Sequence, residues 1–133
     1  MKLITRDTDY ALRALCYIAK KKGAIVSVSE LVLKLGIPRP FLRKSLQTLN
    51  KKKLLVSRKG LGGGFILSRS AESISLLRLI EIFQGPFRLN ECNFKRQICP
   101  RRNACRLKKR IDRIEEFVVR AISSITIKGL IDP

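Results

Sequence analysis

The sequence contains no histidine. That absence excludes imidazole chemistry: no Ser-His-Asp triad, no histidine-ligated zinc and no histidine proton shuttle can be built from this chain. Carboxylates are scarce as well, 10 Asp and Glu against 29 Lys and Arg in 133 residues, for a formal net charge of +19. A field of that sign and size selects polyanions as partners: DNA, RNA or an acidic membrane surface. The membrane is the weakest of the three, because no segment approaches the roughly 18–20 apolar residues that span a bilayer. A secretory leader is not expected either, since Arg6, Asp7, Asp9 and Arg13 interrupt any apolar run near the start. The chain is therefore expected to be cytoplasmic, where clustered cysteines are metal-binding or redox-active more often than disulfide-bonded. With no histidine and no paired carboxylates in a recognisable cleft, an enzyme is the least supported class.

The residues that are present are unevenly placed. Apolar residues make up 45% of the chain, enough for a packed core in one domain or one domain with an appended element. Residues 31–71 contain no carboxylate but carry Lys and Arg from Lys34 to Arg69, and residues 92–111 form a second such block around the cysteines. A solvated face explains a single basic run; two long uncompensated blocks favour polyanion binding.

Periodicity gives the elements. Residues 8–22 read as a helix, capped by Thr8 or Asp7, with Ala11, Leu12, Leu15, Cys16, Ile18 and Ala19 on one stripe. Cys16 reads there as a small core residue. A short helix over residues 27–35 has the Ser27/Glu30 capping-box spacing and stops at Gly36. A third helix starts near Pro40 and runs to Asn50, with Leu42, Leu46 and Leu49 inward and Arg39, Arg43, Lys44 and Gln47 outward. Short helix, glycine turn, longer helix is the helix-turn-helix pattern, and outward Arg and Gln can read guanine and adenine in the major groove. Strands over residues 54–58 and 65–67 enclose Gly60, Gly62, Gly63 and Gly64 and read as a wing, with Arg58 and Lys59 at its base and glycines that let backbone approach phosphate. The glycine loop lacks P-loop spacing. A helix over residues 75–83, with Ile74, Leu77, Ile80 and Phe83 as its core face, ends at Gly85-Pro86. A long helix over residues 106–125 places Leu107, Ile111, Ile114, Val118, Ala121 and Ile125 on a heptad seam, expected to pair with a second copy, with packing against its own domain as the alternative. The apolar tail at Gly129-Leu130-Ile131 is expected to dock on the body.

Between these helices lie Cys92, Cys99 and Cys105, spaced Cys-x6-Cys-x5-Cys. Zinc ribbons use tight cysteine pairs with four ligands, and bacterial ferredoxins use shorter spacings. Three thiolates without a fourth suggest an incompletely cysteine-ligated iron–sulfur cluster, and Lys95, Arg96, Arg101, Arg102 and Arg106 would offset its negative charge. Three unmetallated thiols in a basic loop have the same spacing.

Four segments carry a specific resemblance: Thr8-Asp9-Tyr10-Ala11-Leu12-Arg13-Ala14-Leu15, Ser45-Leu46-Gln47-Thr48-Leu49, Gly60-Leu61-Gly62-Gly63-Gly64, and Cys92, Cys99 and Cys105 followed by Arg106-Leu107-Lys108. The chain resembles the Rrf-type family of iron–sulfur winged-helix transcription regulators. Within that family it looks most like the nitric-oxide-sensing branch (NsrR), which is related to the cluster-assembly (IscR) and rhizobial iron (RirA) regulators. The resemblance implies that Cys92, Cys99 and Cys105 ligate the cluster and that Asp9 from the partner subunit supplies the fourth ligand; a helix-capping carboxylate is the other reading of Asp9. The cluster-assembly branch uses a histidine three residues after the last cysteine, and Lys108 stands there instead. The first cysteine spacing is also one residue longer than the family's common one, which bears on cluster geometry more than on cluster binding.

The expectation is a mainly α protein with a small β-hairpin wing: a winged helix-turn-helix domain over residues 1–86, a cysteine loop over 87–106 and a dimerisation helix with tail over 107–133. The expected function is a homodimeric repressor on a palindromic double-stranded operator, controlled by an iron–sulfur cluster (4Fe–4S ahead of 2Fe–2S) that senses nitric oxide, redox state or iron supply. The expected DNA contacts are Arg39, Pro40, Arg43, Lys44, Gln47, Arg58, Lys59, Gly62 and Gly63; the expected dimer contacts are Ile111, Ile114, Val118, Ala121 and Ile125. The alternatives are a metal-free or zinc-stabilised RNA- or ribosome-binding module and a cluster-free thiol redox regulator.

Overall fold

The computed structural model describes residues 2–89 and 105–132. Three helices come first: α1 (Arg6–Lys20), α2 (Val28–Leu35) and α3 (Arg39–Lys51). A two-stranded antiparallel hairpin, β1 (Leu55–Arg58) and β2 (Gly64–Leu67), follows, then α4 (Leu76–Gln84), the long α5 (Arg106–Ser123) and a short α6 (Ile127–Ile131). The architecture is mainly helical with a hairpin wing, as the sequence indicates.

Helix α1 begins two residues before its expected start. Its N-cap is Thr5, and neither Thr8 nor Asp7 caps it. Thr8 is fully buried instead, and its hydroxyl donates to Gln84 Oε1 at 2.7 Å, while the Thr5 N–H donates to the same oxygen at 3.0 Å. A tertiary acceptor on α4 thus satisfies the helix start that a local side chain was expected to satisfy. The α2 start agrees with expectation: the Ser27 hydroxyl accepts from the Glu30 N–H at 3.1 Å, and Gly36 closes the helix at φ 67°. The Glu30 side chain does not return to Ser27. It accepts from the Tyr17 hydroxyl at 2.5 Å and pairs with Lys21 at 3.5 Å, which ties α1 to α2.

The main core is built by Leu15 and Ile18 of α1, Leu31 of α2, Leu42, Leu46 and Leu49 of α3, Leu54 and Leu55 at the hairpin, and Ile74, Leu79 and Ile127. Cys16 packs against this core, and burial pushes its thiol above the ordinary cysteine value, against a smaller opposing effect of Lys20. A second cluster joins Leu76 and Ile80 of α4 to Ile122 of α5, with Val118 and Ile125 alongside. The buried side of α4 is therefore not the single stripe expected from residues 74, 77, 80 and 83. Leu79 faces the first core and Leu76 and Ile80 the second, because α4 lies between α1 and α5.

Two backbone bridges link parts distant in sequence. Val26 pairs with Phe65, joining the α1–α2 connection to the wing, and Ser75 pairs with Thr126. At the second, the Leu76 N–H donates to Ile125 O at 2.8 Å and the Ile127 N–H to Ile74 O at 3.0 Å. The C-terminal segment is thereby fastened to the start of α4, and Ile127 enters the main core at 0% exposure.

Candidate nucleic-acid interface

Helix α3 has two chemically distinct sides. Leu42, Ser45, Leu46 and Leu49 are buried, while Arg39, Pro40, Arg43, Lys44 and Gln47 are all exposed. Arg39, Arg43 and Gln47 recur every fourth residue and so form one row, with Pro40 and Lys44 beside it. Pro40 fits the first turn because the N–H it lacks has no intrahelical partner there. Arg39 donates to Ser29 Oγ of α2 at 3.1 Å, so the first side chain of the row is braced by the preceding helix.

The wing follows this helix, with strand β1 in contact with α3. Arg58 pairs in register with Gly64, and the tip between them is closed by Gly63 N–H donating to Gly60 O at 2.9 Å. Gly60 and Gly62 adopt φ of 96° and 74°, which L side chains rarely adopt. A Cβ on Gly63 would collide with the Arg58 carbonyl, and one on Gly64 with the Val26 carbonyl. Arg58, Lys59 and Gly62 are exposed and Gly63 is half-buried. Among the described residues no carboxylate pairs with Arg43, Lys44, Arg58 or Lys59. The arrangement is an uncompensated cationic face made of one helix and one glycine-tipped hairpin.

One feature of this face escaped the sequence. Phe41, 40% exposed, carries the Arg6 guanidinium 4.7 Å from its ring centroid and packs near Tyr10, centroids 6.3 Å apart. A helix starting at Thr8 leaves Arg6 outside it; with Thr5 as the N-cap, Arg6 stands in the first turn of α1.

Of the cysteines expected to hold a cluster, Cys92 and Cys99 lie outside the described residues. Cys105 is the N-cap of α5, and its Sγ accepts from the Lys108 N–H at 3.5 Å. No acidic residue occupies the first turn of α5, which holds Arg106 and Lys108. Asp9 pairs with Arg13 one turn on, at 3.1 Å, with 39% of its side chain exposed. No group of three metal-ligating side chains occurs among the described residues.

The residues expected at a dimer interface divide. Val118 and Ile125 lie against the α4 cluster of their own chain. Ile114 is 55% exposed and Ala121 is exposed, while Ile111 is half-buried. Leu107 and Phe117, at 66% and 67% exposure, extend the free apolar surface.

The fold and its cationic face define a winged helix-turn-helix protein. A family model for Rrf2, described as an iron-dependent transcriptional regulator, matches residues 4–133, and the chain belongs to that family. A chain of Aquifex aeolicus classed as an HTH-type transcriptional regulator is 32% identical over 133 residues, covering 98% of this chain and 92% of its own. Protein aau3 of Rhizobium meliloti is 28% identical over 129 residues, covering 96% and 84%. Among solved structures, CymR (YrzC), the global cysteine regulator of B. subtilis, superposes with a TM-score of 0.83 at 22% identity, covering 98% and 97% of the two chains. IscR of T. potens gives 0.74 at 20% identity, covering 98% and 85%. At these identities the structural likeness establishes the winged-helix fold. The protein is a DNA-binding transcriptional regulator of the Rrf2 family and not an enzyme. None of its described helices is long and apolar enough to cross a membrane.

Proposed function

We propose that this regulator binds a palindromic operator as a homodimer and that an iron–sulfur cluster, held by Cys92, Cys99 and Cys105 with Asp9 of the partner subunit as fourth ligand, controls its affinity for DNA. The observation that carries the cluster is the start of α5. A helix N-terminus disfavours cations, yet here Arg106 stands in that turn beside the Cys105 cap, while Lys108 pairs with Asp112 at 2.7 Å. An anionic group at Cys105 offsets that charge, and a thiolate-ligated cluster is such a group. Asp9 fits as an exchangeable partner because its carboxylate is partly exposed and held by a surface ion pair with Arg13.

When bound, the cluster supplies a centre that nitric oxide, oxidants or iron loss can attack. The similarity of the opening and closing motifs to the nitric-oxide-sensing branch makes nitric oxide the preferred signal and repression the preferred mode. On the DNA side, Arg43 and Gln47 read base edges from the major groove, Arg39, Pro40 and Lys44 set the approach of α3, and Arg58 and Lys59 with Gly62 and Gly63 bring the wing to the backbone. Residues 1–86 thus bind DNA, 87–106 hold the cluster, and 107–133 carry the dimer contacts at Ile111, Ile114 and Ala121, with Val118 and Ile125 shared with α4. A differential of about 2–4 kcal/mol between cluster-bound and cluster-free states shifts operator affinity roughly 30- to 1000-fold.

The test is an anaerobic absorption and Mössbauer spectrum, before and after nitric oxide, with DNA binding followed in parallel at fixed salt. Iron–sulfur absorption is expected, with operator affinity falling after nitric oxide and cluster absorption lost in Cys99→Ala. Equal binding by anaerobic wild type and Cys99→Ala removes the sensing role. Colourless protein whose DNA binding follows thiol oxidation establishes the cluster-free reading, which the shared fold with a global cysteine regulator supports.

A further inference from the structure

We propose that Arg6, on the first turn of α1, is a third contact to the DNA backbone beside α3 and the wing, and that Phe41 of α3 holds its guanidinium in place. This inference rests on the reading of α3 as the DNA-facing helix.

Arg6 stands where a helix disfavours it. The first turn of α1 carries the partial positive charge of the helix dipole, which suits Asp7 and Asp9 and opposes a cation. The cation is nevertheless oriented, with its Cζ 4.7 Å from the Phe41 centroid. Phe41 sits between Pro40 and Leu42, and Lys44 follows it at i+3 on the same flank of α3. The Arg6 charge is therefore added to the edge of the cationic face already described.

That charge is also uncompensated. Among the described residues no carboxylate lies within ion-pair distance of Arg6; Asp9 is engaged with Arg13 at 3.1 Å. A guanidinium stacked on an aromatic face keeps its N–H edge free, and that edge matches phosphate oxygens. The ring fixes the side chain before DNA arrives, which reduces the rotamer freedom lost on binding. Tyr10, 6.3 Å from Phe41, backs the ring from α1 itself. The ligand is a backbone phosphate, so the contact adds affinity without sequence preference.

The experiment uses the full chain and a mixed-sequence DNA duplex of about 30 base pairs, because phosphate contacts need no operator. The slope of log affinity against log salt is measured for wild type, Arg6→Ala, Phe41→Leu, Arg13→Ala and Lys44→Ala, each checked by thermal melting. Arg6→Ala is expected to lower the slope by about 0.9 per bound chain and to weaken binding about tenfold at low salt. Phe41→Leu moves the slope the same way with Arg6 still present, and Arg13→Ala leaves it unchanged. An unaltered slope in Arg6→Ala, with Lys44→Ala still lowering it, overturns the inference and leaves the α3 reading standing. Unaltered slopes in both overturn the α3 reading and this inference together. An equal loss in Arg13→Ala reduces the effect to net charge and also overturns it. A loss in Arg6→Ala but none in Phe41→Leu overturns the positioning role of the ring.

Discussion

Val26 and Phe65 exchange both of their backbone hydrogen bonds, Val26 N–H to Phe65 O at 3.0 Å and Phe65 N–H to Val26 O at 2.8 Å. This pair fixes the wing to the connection between α1 and α2, so the wing does not stand on its hairpin alone. Its integrity requires Gly64, because a Cβ there would overlap the Val26 carbonyl. Gly64→Ala is expected to break the bridge and destabilise the fold by about 2 kcal/mol or more. Gly63→Ala, whose Cβ meets the Arg58 carbonyl at the tip, is expected to weaken DNA binding with a smaller loss of stability. Chemical denaturation and duplex titration of the two variants check this ordering.

Lys53 adopts φ 65° at the end of α3, where the Leu54 N–H closes on Leu49 O at 2.9 Å. This is a left-handed C-terminal cap occupied by a residue that pays for its Cβ. Lys53→Gly is expected to stabilise the protein by about 0.5–1 kcal/mol, seen as a melting temperature raised by about 2–5 °C. A lowered melting temperature would contradict this account of the cap.

The buried Thr8 hydroxyl and the Thr5 N–H share one acceptor, Gln84 Oε1. Gln84→Leu removes that acceptor while keeping the bulk of the side chain. The expected cost is about 1–3 kcal/mol, because the Thr5 N–H loses its acceptor and the buried Thr8 hydroxyl is left with the Thr5 hydroxyl, 3.1 Å away, as its partner. Denaturant melts should show a lower midpoint with an unchanged slope.

Tyr17 and Glu30 confer a pH dependence with a defined sign. The Tyr17 hydroxyl holds the Glu30 carboxyl below its ordinary value, with Lys21 adding to the effect and partial burial opposing it. The same bond pushes the Tyr17 phenol above its ordinary value. A depressed carboxyl contributes stability above its unfolded pKa and loses it as pH falls through the folded one; a raised phenol contributes below its unfolded pKa and loses it as pH rises through the folded one. The pair therefore stabilises between the carboxylate and tyrosine ranges. Tyr17→Phe should melt below wild type near pH 7, and the two melting curves should converge as the carboxylate range is crossed in acid.

On α5 two isoleucines are expected to fail in different ways. Ile122 is 5% exposed against Leu76 and Ile80, so Ile122→Ala should cost about 2–4 kcal/mol of stability. Ile114 is 55% exposed, so Ile114→Glu should leave the fold intact and shift the chain to monomer in sedimentation. A stable dimer of Ile114→Glu would place the dimer contact elsewhere.

The sequence disclosed what local chemistry determines. Ser27 caps its helix, Gly36 terminates α2, and the glycines turn the wing, each through its own neighbours. Most of the helix-turn-helix face was legible for the same reason, since helical spacing alone separates Leu42 and Leu46 from Arg43 and Gln47. The α1 start, the Val26 bridge, the two-sided burial of α4 and the Arg6–Phe41 contact were not legible. Each depends on a partner far along the chain, and no local pattern names that partner. The seam of α5 illustrates the limit best: its spacing identifies an apolar stripe, but only packing reveals that Val118 and Ile125 are engaged by α4 while Ile114 is not.

The Ser75–Thr126 bridge and the burial of Ile127 give α5 the mechanics of a cantilever. From Val118 to Ile127 the end of α5 and the segment that follows it are clamped to α4 and to the core that carries α3. The other end of α5 begins at Cys105, and from there to Val118 the helix is about 20 Å of rigid arm. A tilt of about ten degrees at the clamp corresponds to roughly 3.5 Å of travel at Cys105. Force applied at the cysteine end thus reaches the DNA-binding core as torque through the clamped stretch, residues 118–127.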